Sequence, residues 1–62
     1  MPKNRRKHRI YLNGFLVGLE YSLQEAEDRV KKEYGDRINP GGSNKVKITN
    51  DKKTVLKRYV IE

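Results

Sequence analysis

The side chains best suited to bind a ligand in this chain are bases near its amino-terminal end. Residues 1–9 contain Lys3, Arg5, Arg6, Lys7 and Arg9 and no acid. Ammonium and guanidinium groups bind phosphate oxygens, so a run of them predicts a polyanionic partner, with nucleic acid as the first candidate. No other segment gives so direct an indication of a partner.

Side chains suited to catalysis or metal binding are scarce. The chain has one histidine, His8, and no cysteine, which leaves few ligands for a metal and no Cys–His pair. Ser22 begins a helical pattern, Ser43 lies in a loop pattern, and nothing in the sequence brings either beside His8. The carboxylates cluster on the outer side of that helix, without the cleft that an acid–base pair needs. We therefore predict no enzymatic activity, no metal and no cofactor.

Charge is distributed unevenly along the chain. Residues 1–9 carry +5 of the formal net charge of +7, residues 20–37 carry −2 and residues 38–62 carry +4. This distribution predicts a basic surface opposite a neutral or acidic one. The alternative is that the charge only keeps a small protein dispersed.

The 62 residues suffice for one domain with a small core. No apolar run approaches the ~20 residues of a membrane span, and no signal-peptide pattern follows the basic start. We expect a cytoplasmic protein without membrane contact. Residues 1–8 are predicted to be a flexible basic arm, and residues 9–62 a single small α+β domain.

The first half of the domain is predicted to begin with a hairpin. Asn13-Gly14 between alternating apolar residues is typical of a two-residue type I′ turn. The turn pairs Leu12 with Phe15, Ile10 with Val17, and His8 with Leu19. This register predicts a core face of Ile10, Leu12, Phe15, Val17 and Leu19, and an opposite face of Arg9, Tyr11, Leu16, Gly18 and Glu20.

A helix is predicted next. Ser22 and Glu25 have the spacing of a capping box, and Gly35 has the position of a carboxy-terminal stop. The apolar positions between them fall on one narrow stripe. The stripe consists of Leu23, Ala26, Val30 and Tyr34.

Residues 39–61 are predicted to form a loop and a second hairpin. The loop, 39–44, is rich in glycine but lacks the lysine, hydroxyl and following helix of a phosphate-binding loop. Strands follow over Lys45–Thr49 and Thr54–Ile61, with a turn over Asn50–Lys53. Two registers fit the last strand. One turns Val55, Tyr59 and Ile61 to the core together with Lys57, and the other turns Leu56 and Val60 there together with Arg58. We prefer the first, because it buries one more large residue and the lysine amine can reach outward.

The predicted order is β-β-α-β-β, an α+β fold in which two hairpins form an antiparallel sheet and a single helix packs on one face. If the hairpins share a sheet, Arg9, Tyr11, Lys45, Lys47 and Arg58 project together from the other face. Bases with an interleaved aromatic ring suit a nucleic-acid backbone. The predicted contact residues are Lys3, Arg5, Arg6, Lys7, Arg9, Tyr11, Lys45, Lys47, Lys52, Lys53 and Arg58.

The order of elements over residues 9–34 resembles sheet-type DNA readers such as the AP2 domain and the arm-binding domains of phage integrases. The shared features are Ile10-Tyr11-Leu12-Asn13-Gly14 and the capped helix start Ser22-Leu23-Gln24-Glu25-Ala26. Those families have three strands before the helix, whereas this chain offers two. The resemblance is one of shape, and no residue role is carried over from it.

The leading hypothesis is a small nucleic-acid-binding protein that contacts mainly phosphates and has little sequence specificity, acting as an accessory or regulatory factor. The alternative is a protein-interaction module, such as a small regulator or inhibitor of the kind mobile elements encode, bound to a larger acidic host protein. Its motivation is the exposed apolar remainder, Leu16, Leu56 and Val60. A homodimer through an edge strand is a third option.

Overall fold

Two hairpins flank one helix in the structure, a computed structural model that describes residues 6–62. The elements are β1 (His8–Leu12), β2 (Phe15–Glu20), α1 (Leu23–Tyr34), a 3-10 turn (Gly35–Arg37), β3 (Asn44–Thr49) and β4 (Val55–Ile61). The strands form one antiparallel sheet in the order β2-β1-β3-β4. The predicted α+β fold with two hairpins and one helix is confirmed.

The core lies between α1 and the helix-facing side of the sheet. Strand β1 joins the two hairpins by pairing with β3, which sets Ile10 opposite Ile48 and Leu12 opposite Val46. Each aliphatic side chain that is fully buried contributes roughly 1.5–3 kcal/mol. The core residues, all 2% exposed or less, are Ile10, Ala26, Val30, Val46, Ile48 and Ile61.

The Asn13-Gly14 turn of the first hairpin has the predicted geometry. Both residues have positive φ, 52° and 89°, as a type I′ turn requires. Asn13 also holds the turn against the start of β3. Its backbone N–H donates to the Lys45 carbonyl at 2.8 Å, and its Oδ1 accepts from the Lys45 N–H at 2.9 Å.

The predicted register of the first hairpin is correct next to the turn and wrong from Ile10 onward. Leu12 pairs with Phe15 as predicted, but the register then shifts, and Ile10 pairs with Gly18 and His8 with Glu20. Val17 is the extra residue of a β-bulge, which reverses the alternation that follows it. Gly18 and Glu20 therefore face the helix, and Leu19 faces away from it.

Phe15 does not join the predicted core face either, because it is 76% exposed at the tip of the hairpin. Val17 and Leu19 are also exposed, at 39% and 37%. Strand β2 is thus an edge strand that leaves most of its large apolar side chains in contact with solvent.

Helix α1 begins and packs as predicted. The Ser22 Oγ accepts from the Glu25 N–H at 3.1 Å, the N-cap bond of the capping box. Ala26 and Val30 are fully buried, and Leu23 and Tyr34 pack beside them. The helix ends at Tyr34 with Gly35 as its C-cap, the position predicted for the stop, although the backbone of Gly35 is right-handed. Gly35 has φ −55° and ψ −40° and begins the 3-10 turn.

Replacing Gly35 by alanine should stabilise the protein. The backbone there is right-handed, and no atom lies within 4 Å of the position that a Cβ would take. Alanine lowers the entropy of the unfolded chain, so we expect a gain of about 0.4–1 kcal/mol in the free energy of unfolding. Urea denaturation measures it. A loss of stability would show that the turn needs glycine for a reason other than space or φ.

The second hairpin largely confirms the preferred register. Lys57 pairs with Ile48 and Tyr59 with Val46, so both face the helix, together with the buried Ile61. The prediction for Val55 is wrong, because a second register shift pairs it with Thr49 and takes it out of the core-facing row. The turn lies where it was predicted, and Lys53 in it has a left-handed backbone with φ 68°, which the sequence did not indicate.

Within the part of the chain that the structure describes, no helix combines the length and the apolar character that a membrane crossing demands.

Candidate nucleic-acid interface

The sheet face opposite α1, called the open face from here on, collects the predicted strand bases. Tyr11 of β1 pairs with Lys47 of β3, and Lys47 pairs with Arg58 of β4. Arg9 pairs with Thr49, and Lys45 with Val60. Cross-strand partners share a face. All five side chains named from the sequence, Arg9, Tyr11, Lys45, Lys47 and Arg58, therefore project from this one face.

The open face carries positive charge without acidic partners. The only acid in the four strands is Glu20, and it faces the helix. Among residues 6–62 both ion pairs are made by Arg29, so no base of the open face is in one of them. Lys47 and Arg58 stand directly opposite each other. Like charges in that position destabilise a sheet.

Tyr11 and Lys47 are also in contact over the aromatic ring. The Lys47 Nζ lies 5.4 Å from the centroid of the Tyr11 ring, within the range of a cation–π interaction. The lysine thus covers part of the ring, and both side chains are half-buried. Stacking of a base on Tyr11, as the sequence suggested, requires Lys47 to swing aside.

A shallow depression lies at the end of the open face nearest the first hairpin turn. Its volume is about 420 Å³, and it is lined by Asn13, Gly14, Lys45, Val46, Lys47, Arg58, Tyr59 and Val60. Three of these eight are bases, and none is an acid. No atom lies within 4 Å of the position that a Cβ on Gly14 would take.

The helix side of the molecule holds Glu20 and the acids of α1. Arg29 donates to Glu20 at 2.9 Å and to Glu33 at 3.1 Å. The hydrogen bond to Glu20 is the main cause of the raised pKa of Arg29. The guanidinium lies over Gly18, where a Cβ would come within 2.9 Å of it. A larger residue at this position would require the guanidinium to shift.

Tyr59 also lies on the helix side. Burial raises the pKa of its hydroxyl, and the nearby charges of Glu27 and Asp28 raise it further. The prediction of a basic surface opposite a more acidic one thus corresponds to the two sides of the sheet: strand bases on the open face, and helix acids behind it.

Four of the other predicted contact residues are described, and none of them lies in a strand of the open face. Lys52 and Lys53 are exposed in the β3–β4 turn. The Arg6 guanidinium lies 5.1 Å from the centroid of the Tyr21 ring, and Lys7 is exposed beside it in the chain. Lys3 and Arg5 are outside the described residues. Strand β1 begins at His8, one residue before the predicted start of the domain.

Sequence reasoning assigned Leu19 to the core, but it lies on the open face. Gly18 was the available signal for Leu19, because a glycine within a strand often marks a bulge. Thr49 was not named as part of this face, although its pairing with Arg9 places it there, where it is 2% exposed. Val60 was predicted to be an exposed apolar residue, and the pairing of β3 with β4 places it beside Lys45.

Residues 6–62 contain no cluster of three histidine, aspartate or glutamate side chains with the spacing to hold a metal ion.

Comparisons with protein-family models, with curated proteins and with solved structures find no match to this chain. The resemblance in element order to the AP2 domain and the integrase arm-binding domains gains no support from them, and the helix here precedes the third strand.

Proposed function

We propose that this protein binds nucleic acid through the open face, mainly by contacts to phosphates and with little sequence specificity, as an accessory or regulatory factor. The observation that carries the proposal is the Lys47–Arg58 pair. Arg9 and Lys45 lie on the same face, and the strands place no acid there. Because paired like charges weaken the fold, a polyanion that neutralises them accounts for their placement.

The surroundings of the face support the same partner. The basic residues near the amino-terminal end and Lys52–Lys53 extend the positive charge beyond the strands. The acids of α1 lie on the opposite side of the sheet, which orients the molecule in the field of a polyanion. The face offers cations and the Tyr11 ring, which can contact phosphates and bases of any sequence.

A salt-dependent binding titration tests the proposal. Fluorescence anisotropy with a labelled duplex and a labelled single strand should show affinity that falls linearly in a plot of log K against log salt. If the four bases of the open face each neutralise one phosphate, their share of the slope is about −3.6 on duplex DNA and about −2.8 on a single strand. Undetectable binding to DNA and RNA at about 50 mM salt would overturn the proposal.

A protein partner is the second candidate, and strand β2 favours it. Phe15, Leu16, Val17 and Leu19 are all 37% exposed or more, on an edge strand that carries no lysine or proline. Exposed apolar edges of this kind are common docking sites, for a protein or for a second copy of the chain.

Capture from a lysate after nuclease treatment separates the candidates, because a protein partner survives the nuclease and a nucleic-acid bridge does not. Light scattering identifies a homodimer.

A further inference from the structure

We propose that the depression beside the first hairpin turn seats one nucleotide of a single strand, an inference that rests on the proposed nucleic-acid function and specifies its substrate. The base would enter the depression, and its phosphate would lie against the surrounding cations. The open face would then prefer an unpaired strand to a duplex.

The geometry supplies both kinds of contact. Lys45, Lys47 and Arg58 border the depression from two adjacent cross-strand pairs, and Val60 occupies the fourth position of that rectangle. The ammonium and guanidinium groups can reach phosphate oxygens, while the lysine stems and the valine methyls offer an apolar surface to a base. The volume of about 420 Å³ falls within the range of small-molecule sites.

The depression distinguishes a single strand from a duplex. A duplex stacks its bases inside and presents phosphates and groove edges to a flat face, so a recess gains little from it. An unpaired strand can turn a base outward into a recess while its phosphates stay with the cations. The depression is open to solvent, so the strand can enter and leave without a change in the fold.

Placing an acid in the depression tests the inference, with an equal charge change outside it as the control. Val60→Glu puts a carboxylate among the three cations. Leu56→Glu puts the same charge on the same strand, at a position that does not border the depression. With a labelled short oligothymidylate we expect Val60→Glu to lower the affinity at least ~10-fold, and Leu56→Glu by less than ~3-fold. Dispersed NMR spectra of both variants verify their folds.

A titration of the unaltered protein with thymidine 5′-monophosphate gives an independent measurement. The largest amide shifts should fall at Gly14, Lys45, Lys47, Arg58 and Val60. Thymidine or inorganic phosphate alone should give weaker shifts at the same amides, because each supplies half of the contacts.

The outcomes separate this inference from the function on which it rests. If the unaltered protein binds neither a single strand nor a duplex, both fail. If it binds nucleic acid but the two glutamate variants weaken binding equally, or if the nucleotide shifts lie elsewhere, the depression is not the site and the proposed function stands. Preference for the duplex over a single strand of equal length would likewise overturn the inference alone.

Discussion

Replacing Gly42 by alanine is expected to destabilise the protein by about 3 kcal/mol or more, a large part of the ~5–15 kcal/mol that holds a small domain together. A Cβ on Gly42 would overlap the carbonyl oxygen and the carbonyl carbon of Ile61. These are backbone atoms of β4, so no side-chain rotation relieves the overlap. Either the loop or the end of the strand has to move.

The segment that would move covers the outer edge of β4. The Asn39 N–H donates to the Val60 carbonyl at 2.9 Å, and the Glu62 N–H donates to the Arg37 carbonyl at 2.8 Å. Gly42 closes the turn by donating to the Asn39 carbonyl at 2.9 Å. Displacing this loop weakens those bonds and the packing of Ile61, which is fully buried.

Gly41→Ala is the matched control. A Cβ there would meet only the Asn39 Oδ1, at 3.6 Å, an ordinary contact. We expect its free energy of unfolding to stay within about 1 kcal/mol of the parent protein. Urea denaturation of both variants, with NMR spectra to report loss of structure, makes the comparison. Equal stabilities would mean that the loop does not lie against β4 as described.

Local signals explain the parts of the fold that the sequence predicted correctly. The Asn13-Gly14 turn and the Ser22 cap each depend on residues a few positions apart, so their chemistry is legible in the chain itself. The apolar stripe from Leu23 to Tyr34 likewise needs no knowledge of the sheet. The membership of the open face follows from strand alternation once β1 and β3 pair, and only that pairing is nonlocal.

The errors come from contacts between distant residues. A bulge adds one residue without altering composition, so alternation alone assigned Leu19 to the core. The partner of Gly18 and Glu20 on the helix side is Arg29, eleven and nine residues further along the chain, and strand alternation does not reveal that contact. Gly42 looked like an ordinary loop glycine, because its constraint is the backbone of Ile61. The depression also depends on two strands and a turn that meet only in the folded chain.

Removing the paired bases of the open face should reduce nucleic-acid binding without reducing stability. For Lys47→Gln combined with Arg58→Gln we expect affinity for a single strand to fall on the order of 100-fold at low salt, because each charge-assisted contact contributes roughly 1.5–3 kcal/mol. The salt slope should become shallower by about 1.4. The two bases stand opposite each other, so their removal also relieves a repulsion.

Lys31→Gln combined with Lys32→Gln is the control for net charge. Both double variants lower the net charge of +7 by two, but the control acts on exposed lysines of α1, away from the open face. We expect the control to weaken binding by less than about 5-fold, since only long-range attraction is lost. Equal losses would mean that the protein attracts nucleic acid by its overall charge and not by this face. For the Lys47 and Arg58 double variant we expect reduced binding with an unchanged or higher urea midpoint. That result would show that the two bases serve nucleic-acid binding and do not stabilise the fold.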